Sequence, residues 1–325
     1  MTVLVTGGAG YIGSHTVRAL RAADREVVVL DTLELGRPDA VLGAELVVGD
    51  IHDAALVERL CTDRAVTAIV HFAAYKSVGE SMQSPGKYWH NNIDGTATLV
   101  EAALRAGVRD VVFSSSCSVY GTPDVVPVAE SAVIQPESVY AESKATLERV
   151  LRWYGVTDGV RSVSLRYFNA AGASRDGVIG EDWTFSINLV PLVMKAVLGA
   201  GPPIKVFGTD YPTPDGTCIR DYIHVEDLAD AHIKALDALG TGGEQTMAVN
   251  LGTGVGSSVR EVIDATAAVA GRPVPVEEAP RRAGDPVSTF ADPTHAEQVL
   301  GWRAHLGLPE IVETAYRWHA SAAGR

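Results

Sequence analysis

The stretch VLVTGGAGYIGSH, Val3–His15, constrains the chain more than any other. It sets Gly7, Gly10 and Gly13 three residues apart, directly after a β-branched run, Val3–Thr6, and at the opening of a helical pattern, Ser14–Ala23. Glycines there permit a tight turn, close approach of backbone to a pyrophosphate, and close helix–strand packing. The free N–H groups and the positive dipole end of the helix then face the anion. In a chain with 32 glycines the spacing alone carries little, and a ligand-free glycine turn is the competing reading. The position after the first strand is what makes it a dinucleotide signature.

Downstream the same alternation repeats. Short runs apolar on both faces, Glu26–Leu30, Leu46–Val48, Ala68–Phe72, Val111–Ser114 and Ser162–Tyr167, read as buried parallel strands. Helical patterns lie between them, including Asp53–Cys61. Two more carry apolar stripes: Trp89, Ile93, Ala97, Val100 and Leu104 on one, and Leu147, Val150, Leu151 and Tyr154 on the other. The expected fold class is α/β, a doubly wound parallel sheet with right-handed crossovers. After Asn169 the texture changes to glycine- and acid-rich Gly172–Asp182 and the turn-rich Gly208–Thr217. Met247–Leu251 reads as a further strand, and Ser258–Ala270 and Leu308–His319 as helices.

Composition narrows the function. At 325 residues the chain holds one large domain or two interlocked ones. A net charge of −13 argues against nucleic acid, which needs a basic footprint. Three cysteines, Cys61, Cys117 and Cys218, without metal-ligand spacing fit a reducing compartment and no metal. No apolar stretch approaches eighteen residues and the N-terminus lacks a signal-peptide pattern, so a cytoplasmic protein without a membrane partner is expected.

Asp31 ends the second strand, eighteen residues past Gly13. A carboxylate there accepts bonds from ribose hydroxyls and repels a 2′-phosphate, which favours NAD over NADP. The alternative is a turn or helix-start aspartate. Asp50 and Ile51, after the third strand, suit an adenine edge; Asp50 otherwise caps the next helix.

SVYAESK places Tyr140 and Lys144 four residues apart on a helix, about 5–6 Å between Cβ atoms. A phenol has a pKa near 10, and lowering it to about 7 takes roughly 4 kcal/mol. One ammonium at about 5 Å, at an effective dielectric of about 20, supplies roughly 3 kcal/mol of that. A cationic nicotinamide ring nearby is the expected source of the rest. Ser116, in FSSSCSVYG at the end of the fifth strand, opens onto the same crevice with a hydroxyl to share a proton. Taken alone, the three serines are also a polar strand end.

These residues resemble the extended short-chain dehydrogenase/reductase family and, within it, the UDP-glucose 4-epimerase branch. The resemblance runs nearly the whole length: VTGGAGYIGSH, HFAAYKSVGES, NNIDGT, FSSSCSVYG, YAESK, LRYFNAAGA, DYPTPDGTCIRDYIHVEDLADAH, NLGTGVGSSV and APRRAGDP. It implies NAD held by Tyr11, Ile12, Asp31, Asp50, Ile51, Phe72, Ala73, Lys76, Asn91, Tyr140, Lys144 and Phe168. It implies a UDP-sugar met by Lys76, Ser116, Tyr140, Asn169, Asn188, Phe207, Arg220 and Arg282. Arginine forks suit a diphosphate. The alternative for Arg220 is an ion pair with Asp221 or Asp215, and for Arg282 solvated surface beside Arg281. The implied division is an NAD-binding part, 1–168 and 219–252, and a UDP-sugar part, 169–218 and 253–325. A homodimer built on the two striped helices is implied too, although both stripes could face the sheet instead.

The implied reaction is reversible oxidation at C4 through a 4-keto sugar, with Ser116, Tyr140 and Lys144 catalytic. Some residues depart from the family pattern. Thr32–Val47 is short, Cys117 stands where alanine is usual, and YAESK has Ala141 and Glu142 for glycine and lysine. Thr289 lies where the family sets the room around the sugar 2-substituent, and its small size suggests that an N-acetylated sugar also fits. Two other readings compete. A nucleotide-sugar 4,6-dehydratase needs an Asp-Glu pair after the hydroxyl residue, where this chain has Cys117 and Ser118. A non-catalytic NAD-sensing protein typically loses the tyrosine or the lysine, and both are present.

Overall fold

The computed structural model describes residues 1–184, 186–240, 245–282 and 284–321. The chain begins with β1 (Thr2–Thr6), α1 (Tyr11–Ala22), β2 (Glu26–Asp31), β3 (Glu45–Val48), α2 (Ala54–Asp63) and β4 (Val66–His71). Two short helices follow, α3 (Val78–Gln83) and α4 (Pro85–Tyr88), then α5 (Gly95–Arg105), β5 (Asp110–Ser114), α6 (Val139–Asp158) and β6 (Arg161–Tyr167). The remainder is β7 (Asn169–Ala171), α7 (Leu189–Val197), β8 (Ile204–Phe207), β9 (Ile219–His224), α8 (Val225–Gly240), β10 (Thr246–Leu251) and β11 (Gly256–Ser258). Last come α9 (Val259–Ala270), β12 (Val276–Ala279), β13 (Ser288–Thr289), α10 (Thr294–Leu300) and α11 (Leu308–Ala320).

Local chemistry sets several of these ends. Ser138 accepts from the Ala141 amide to start α6, and Gly159 stops it at φ 72°, a left-handed conformation that glycine adopts without strain. Ser258 and Glu261 form a reciprocal capping box at α9. Asp53, not Asp50, caps α2 through the Leu56 amide. Asp50 instead accepts from the amide and ring of His52, so the capping alternative for Asp50 is set aside. The helix expected from Trp89 to Leu104 is interrupted: Trp89–Asp94 is a π-helical turn, and regular α-helix begins at Gly95.

Seven parallel strands form the large sheet in the order β10-β6-β5-β4-β1-β2-β3. The order reverses between β1 and β4, and the crevice at their carboxyl ends is where such sheets bind ligands. Apolar residues cover both faces. Val17 and Leu20 of α1 share one core with Leu228, Ala235 and Leu236 of α8. Val57 and Leu60 of α2 share another with Leu99 and Ala102 of α5. Most of both stripes turns inward: Ile93, Val100, Leu104, Leu147, Leu151 and Tyr154 pack with Val111 and Phe113 of the sheet, while Trp89 stays exposed.

A second layer faces the carboxyl edge. It holds a four-stranded sheet, β11-β9-β13 with β7 on β9, a two-stranded pair of β8 and β12, and helices α7, α9 and α11. The expected division shifts in two places. Ile219–His224 pairs with β7, β11 and β13 in this layer, although Ile223 packs into the core under the large sheet. Ala296, Leu300 and Trp302, expected in the second part, lie in the core under the large sheet. Among the described residues no helix is long and apolar enough to cross a membrane.

Candidate active site

The glycine loop folds as a backbone cradle. Gly7 has φ 72°, and a Cβ there would lie 2.6 Å from the Ala73 amide nitrogen. A Cβ on Gly13 would lie 2.2 Å from the Gly7 carbonyl oxygen. Both positions therefore demand glycine, one for the turn and one for the approach of α1 to the loop. Gly10 caps α1 with no side chain, which leaves the first-turn amides of Tyr11 and Ile12 facing the crevice. Beside the loop, buried Asp31 accepts from the Ala9 amide at 3.0 Å and the Leu33 amide at 2.9 Å. Each carboxylate oxygen has two lone pairs, so acceptor capacity remains for ribose hydroxyls. Phe72 and Ala73 follow β4, and both amides donate to the Thr6 carbonyl. Ile51 is buried near Asp50, and Asn91 donates to its neighbour Asn92.

At the end of β5 three side chains converge. Ser116 caps a 3-10 turn, and its Oγ accepts from the Ser118 amide and hydroxyl, which leaves its own proton free to donate. Tyr140, on the first turn of α6, is anchored by its amide to Ser81 Oγ at 3.1 Å. Lys144 Nζ lies 5.9 Å from the Tyr140 ring centroid and donates to the Ser114 carbonyl at 2.7 Å. The electrostatics differ from the simple expectation. Burial raises the Tyr140 phenol above its ordinary value near 10, with the Ser116 hydroxyl acting the other way. Burial also brings Lys144 down from 10.5 to about 7, while Glu148 supports its charge. Desolvation thus outweighs a partly charged ammonium at this distance, and Lys144 alone does not make the phenol acidic.

The second layer supplies the opposite wall. Asn169, at the start of β7, donates to the Asp221 carbonyl at 3.0 Å. Arg220 is held by the carbonyls of Ile219 and Pro286, with Asp285 at 3.6 Å. Its alternative partners are occupied elsewhere. Asp221 takes the Thr253, Gly254 and Ala291 amides, and Asp215 takes Thr217 and Ser258. Arg282 lies over the Phe207 ring at 4.3 Å, while Arg281 turns away to Asp210. Thr289 pairs in register with Arg220. It is 6 % exposed, and its Oγ1 has no hydrogen-bond partner among the described residues. Phe168 is buried behind the crevice against Tyr120 and Ala145.

The two walls are tied together. Tyr11 donates to the Gly172 carbonyl at 2.7 Å. Lys76, with a side chain 63 % exposed, reaches to 4.0 Å from Glu181, a buried carboxylate that also takes Ser186 and Asn188. Burial raises Glu181 above its ordinary value. Sequence reasoning did not single out Glu181, Asn92, Ser81 or Glu148. Asn92 holds the Tyr75 amide and carbonyl and reaches Ser143 of α6. The only signal was their presence inside or beside the family-like motifs.

The chain is similar in sequence and fold to known proteins. Residues 3–252 match the family described as the NAD dependent epimerase/dehydratase family. A UDP-glucose 4-epimerase of Rhizobium meliloti (strain 1021) is 48% identical over 318 residues, 98% of this chain and 97% of its own. A crystal structure of UDP-glucose 4-epimerase from Brucella ovis in complex with NAD is 44% identical, with 97% of each chain covered and a TM-score of 0.95. One from Stenotrophomonas maltophila, with bound NAD and formylated UDP-arabinopyranose, is 40% identical, with 98% of each chain covered and a TM-score of 0.95.

Proposed function

The chain belongs to the NAD dependent epimerase/dehydratase family, and from that membership we propose that it is an isomerase interconverting UDP-glucose and UDP-galactose, in galactose metabolism, by reversible oxidation at C4. The observation that carries the reading is the convergence of Ser116, Tyr140 and Lys144 at the strand end beside the glycine cradle.

The cradle fits NAD. The approach at Gly7 and Gly13 and the uncapped start of α1 suit a diphosphate, and Asp31 suits an unphosphorylated ribose. Gly7, Gly10, Tyr11, Ile12, Gly13, Asp31, Asp50, Ile51, Phe72, Ala73, Lys76, Asn91, Tyr140, Lys144 and Phe168 would hold it. When bound, NAD supplies a hydride acceptor and a positive ring next to the phenol. Tyr140 takes the sugar 4-hydroxyl proton, directly or through Ser116, as the C4 hydride leaves. Lys144 stabilises the phenolate in its charged form. Asn169, Asn188, Phe207, Arg220 and Arg282 hold the uridine diphosphate, so that the 4-keto sugar turns over without escaping. Once hydride has come back to the opposite face of C4, Tyr140 returns its proton to the new alkoxide, and the configuration at C4 is inverted.

A dehydratase would need an acid after Ser116. Burial pushes the Cys117 thiol up to about 12, and Ser118 bonds to Ser116, so neither serves. The test is UDP-galactose with no added electron acceptor: UDP-glucose should form with no net NADH. No conversion, or accumulating NADH, refutes the reading. The unpartnered hydroxyl and small side chain of Thr289 support room for an N-acetylated sugar as well. No turnover of UDP-N-acetylgalactosamine would end that extension. Pairing as a homodimer is supported by exposed Trp153 (59 %) and Val156 (70 %) on the outer face of α6; a monomeric mass in solution would oppose it. Free Cys61, Cys117 and Cys218 suit a cytoplasmic setting.

A further inference from the structure

Behind the crevice lies a buried polar network that the reaction as described does not use. Glu148 sits one helical turn past Lys144. Its carboxylate receives Arg166 Nε at 2.9 Å and Nη2 at 2.6 Å, and the Ser115 hydroxyl at 2.5 Å. The ion pair is secluded, with side chains 8 % and 12 % exposed. Arg166 Nη1 continues to the Tyr120 hydroxyl at 2.8 Å, which donates to Asn250 at 2.7 Å. Buried ion pairs are weak contributors to stability compared with apolar residues of like volume. This one grips the strand end that carries Ser116.

We infer that Glu148 is a positioning residue for the epimerisation, clamping the Ser114–Ser116 strand end to α6 and keeping a negative charge one turn from Lys144. The inference rests on the function proposed above. Two successive turns of one helix each hold one serine of the triplet. Lys144 binds the Ser114 carbonyl, and Glu148 binds the Ser115 hydroxyl. Ser116 is therefore displaced whenever either grip is lost. The charge matters separately, because Glu148 opposes the burial that strips Lys144 of its proton.

The other groups facing Lys144 do not titrate in its range. His71 of β4 is held neutral, down at about 3, and Tyr167 of β6 is pushed up to about 12. Phe113 of β5 contributes only its ring face, Arg166 of β6 stays charged, and burial raises Tyr140 above its ordinary value.

The experiment measures kcat and KM for UDP-galactose from pH 5.5 to 9 in the wild type, Glu148→Gln, Glu148→Asp and Ser115→Ala, with UDP affinity by calorimetry and folding by circular dichroism. Glu148→Gln should lower kcat roughly 10- to 100-fold with KM and UDP affinity nearly unchanged. Its alkaline limb, where the ammonium is lost, should move to lower pH. Glu148→Asp should recover most of both effects. Ser115→Ala, which leaves the ion pair whole, should lower kcat several-fold without moving the limb. A folded Glu148→Gln with wild-type kcat and limb overturns the inference. Should that variant fail to fold, Ser115→Ala decides, and unchanged kcat overturns it. A wild type that makes no UDP-glucose refutes the underlying function instead, so the two failures are distinguishable.

Discussion

The crevice has two walls of opposite character. The wall at the sheet end is made of backbone, from Gly7 to Gly13 with the Asp31 carboxylate already bonded to two amides. The facing wall is made of long side chains, Arg282 lying on Phe207 and Arg220 beside Asp285. Backbone cannot rearrange locally without breaking the turn, whereas arginine and lysine side chains change rotamer within nanoseconds. On the function proposed above, the first wall would be a fixed mould for the cofactor, and the second a grip that can open for the substrate. Arg220, tethered by two carbonyls, is the stiffest part of that grip.

The most severe way to challenge this contrast is to disable what stands between the walls. Tyr140→Phe should lower kcat by about 10²–10⁴-fold while NAD content and UDP affinity persist. Near-normal turnover, measured by conversion of UDP-galactose, would remove the phenol from the mechanism. Gly13→Ala attacks the fixed wall, where the new methyl meets the Gly7 carbonyl. It should strip NAD from the purified protein, read by absorbance after denaturation; full NAD content would show that the mould can yield. Arg220→Ala attacks the grip and should weaken UDP binding about 10- to 100-fold by calorimetry, with NAD content unaltered. Arg282→Ala, on an exposed side chain, should cost only several-fold, and equal losses would erase the distinction between the two arginines.

Acid is the gentlest probe. Burial depresses His71 to about 3 and His15, His224 and His232 to about 4, against 6.5 unfolded. Each group's folded value lies below its unfolded one. The stability they contribute is therefore complete above pH 6.5 and is lost as pH falls toward 4. At pH 5.5 this amounts to roughly 1 kcal/mol for each, lowering Tm by several degrees relative to pH 7.5. Three of the four stand behind the fixed wall, on α1, β4 and α8, so NAD release should accompany the drop. A flat Tm over that range would contradict the assignment.

Much of the fold and the site was legible in the sequence. The strands and the glycine cradle came from local signals, because two-sided apolar runs and glycine spacing are properties of neighbouring residues. Ser116, Tyr140 and Lys144, which the structure brings together, were legible as candidates in the same way. The boundaries between layers were not. Ile219–His224 reads as any strand, and nothing local says that it pairs with Asn169–Ala171 rather than with the large sheet. The interruption at Trp89–Asp94 was hidden too, since its apolar spacing continues through the π turn. The partner of Arg220 proved to be Asp285, far along the chain, and not its neighbour Asp221.

The chain order alone determined the fold class, the glycine cradle and the tyrosine–lysine turn, because each depends on residues within a few positions of one another. Tertiary structure decided the proton affinities and the partners. Tyr140 is raised and Lys144 lowered by the bulk that buries them, and Glu148 meets Ser115 and Arg166 only once helix and strands are assembled. Desolvation is a sum over everything nearby in space, and no window of sequence contains that sum.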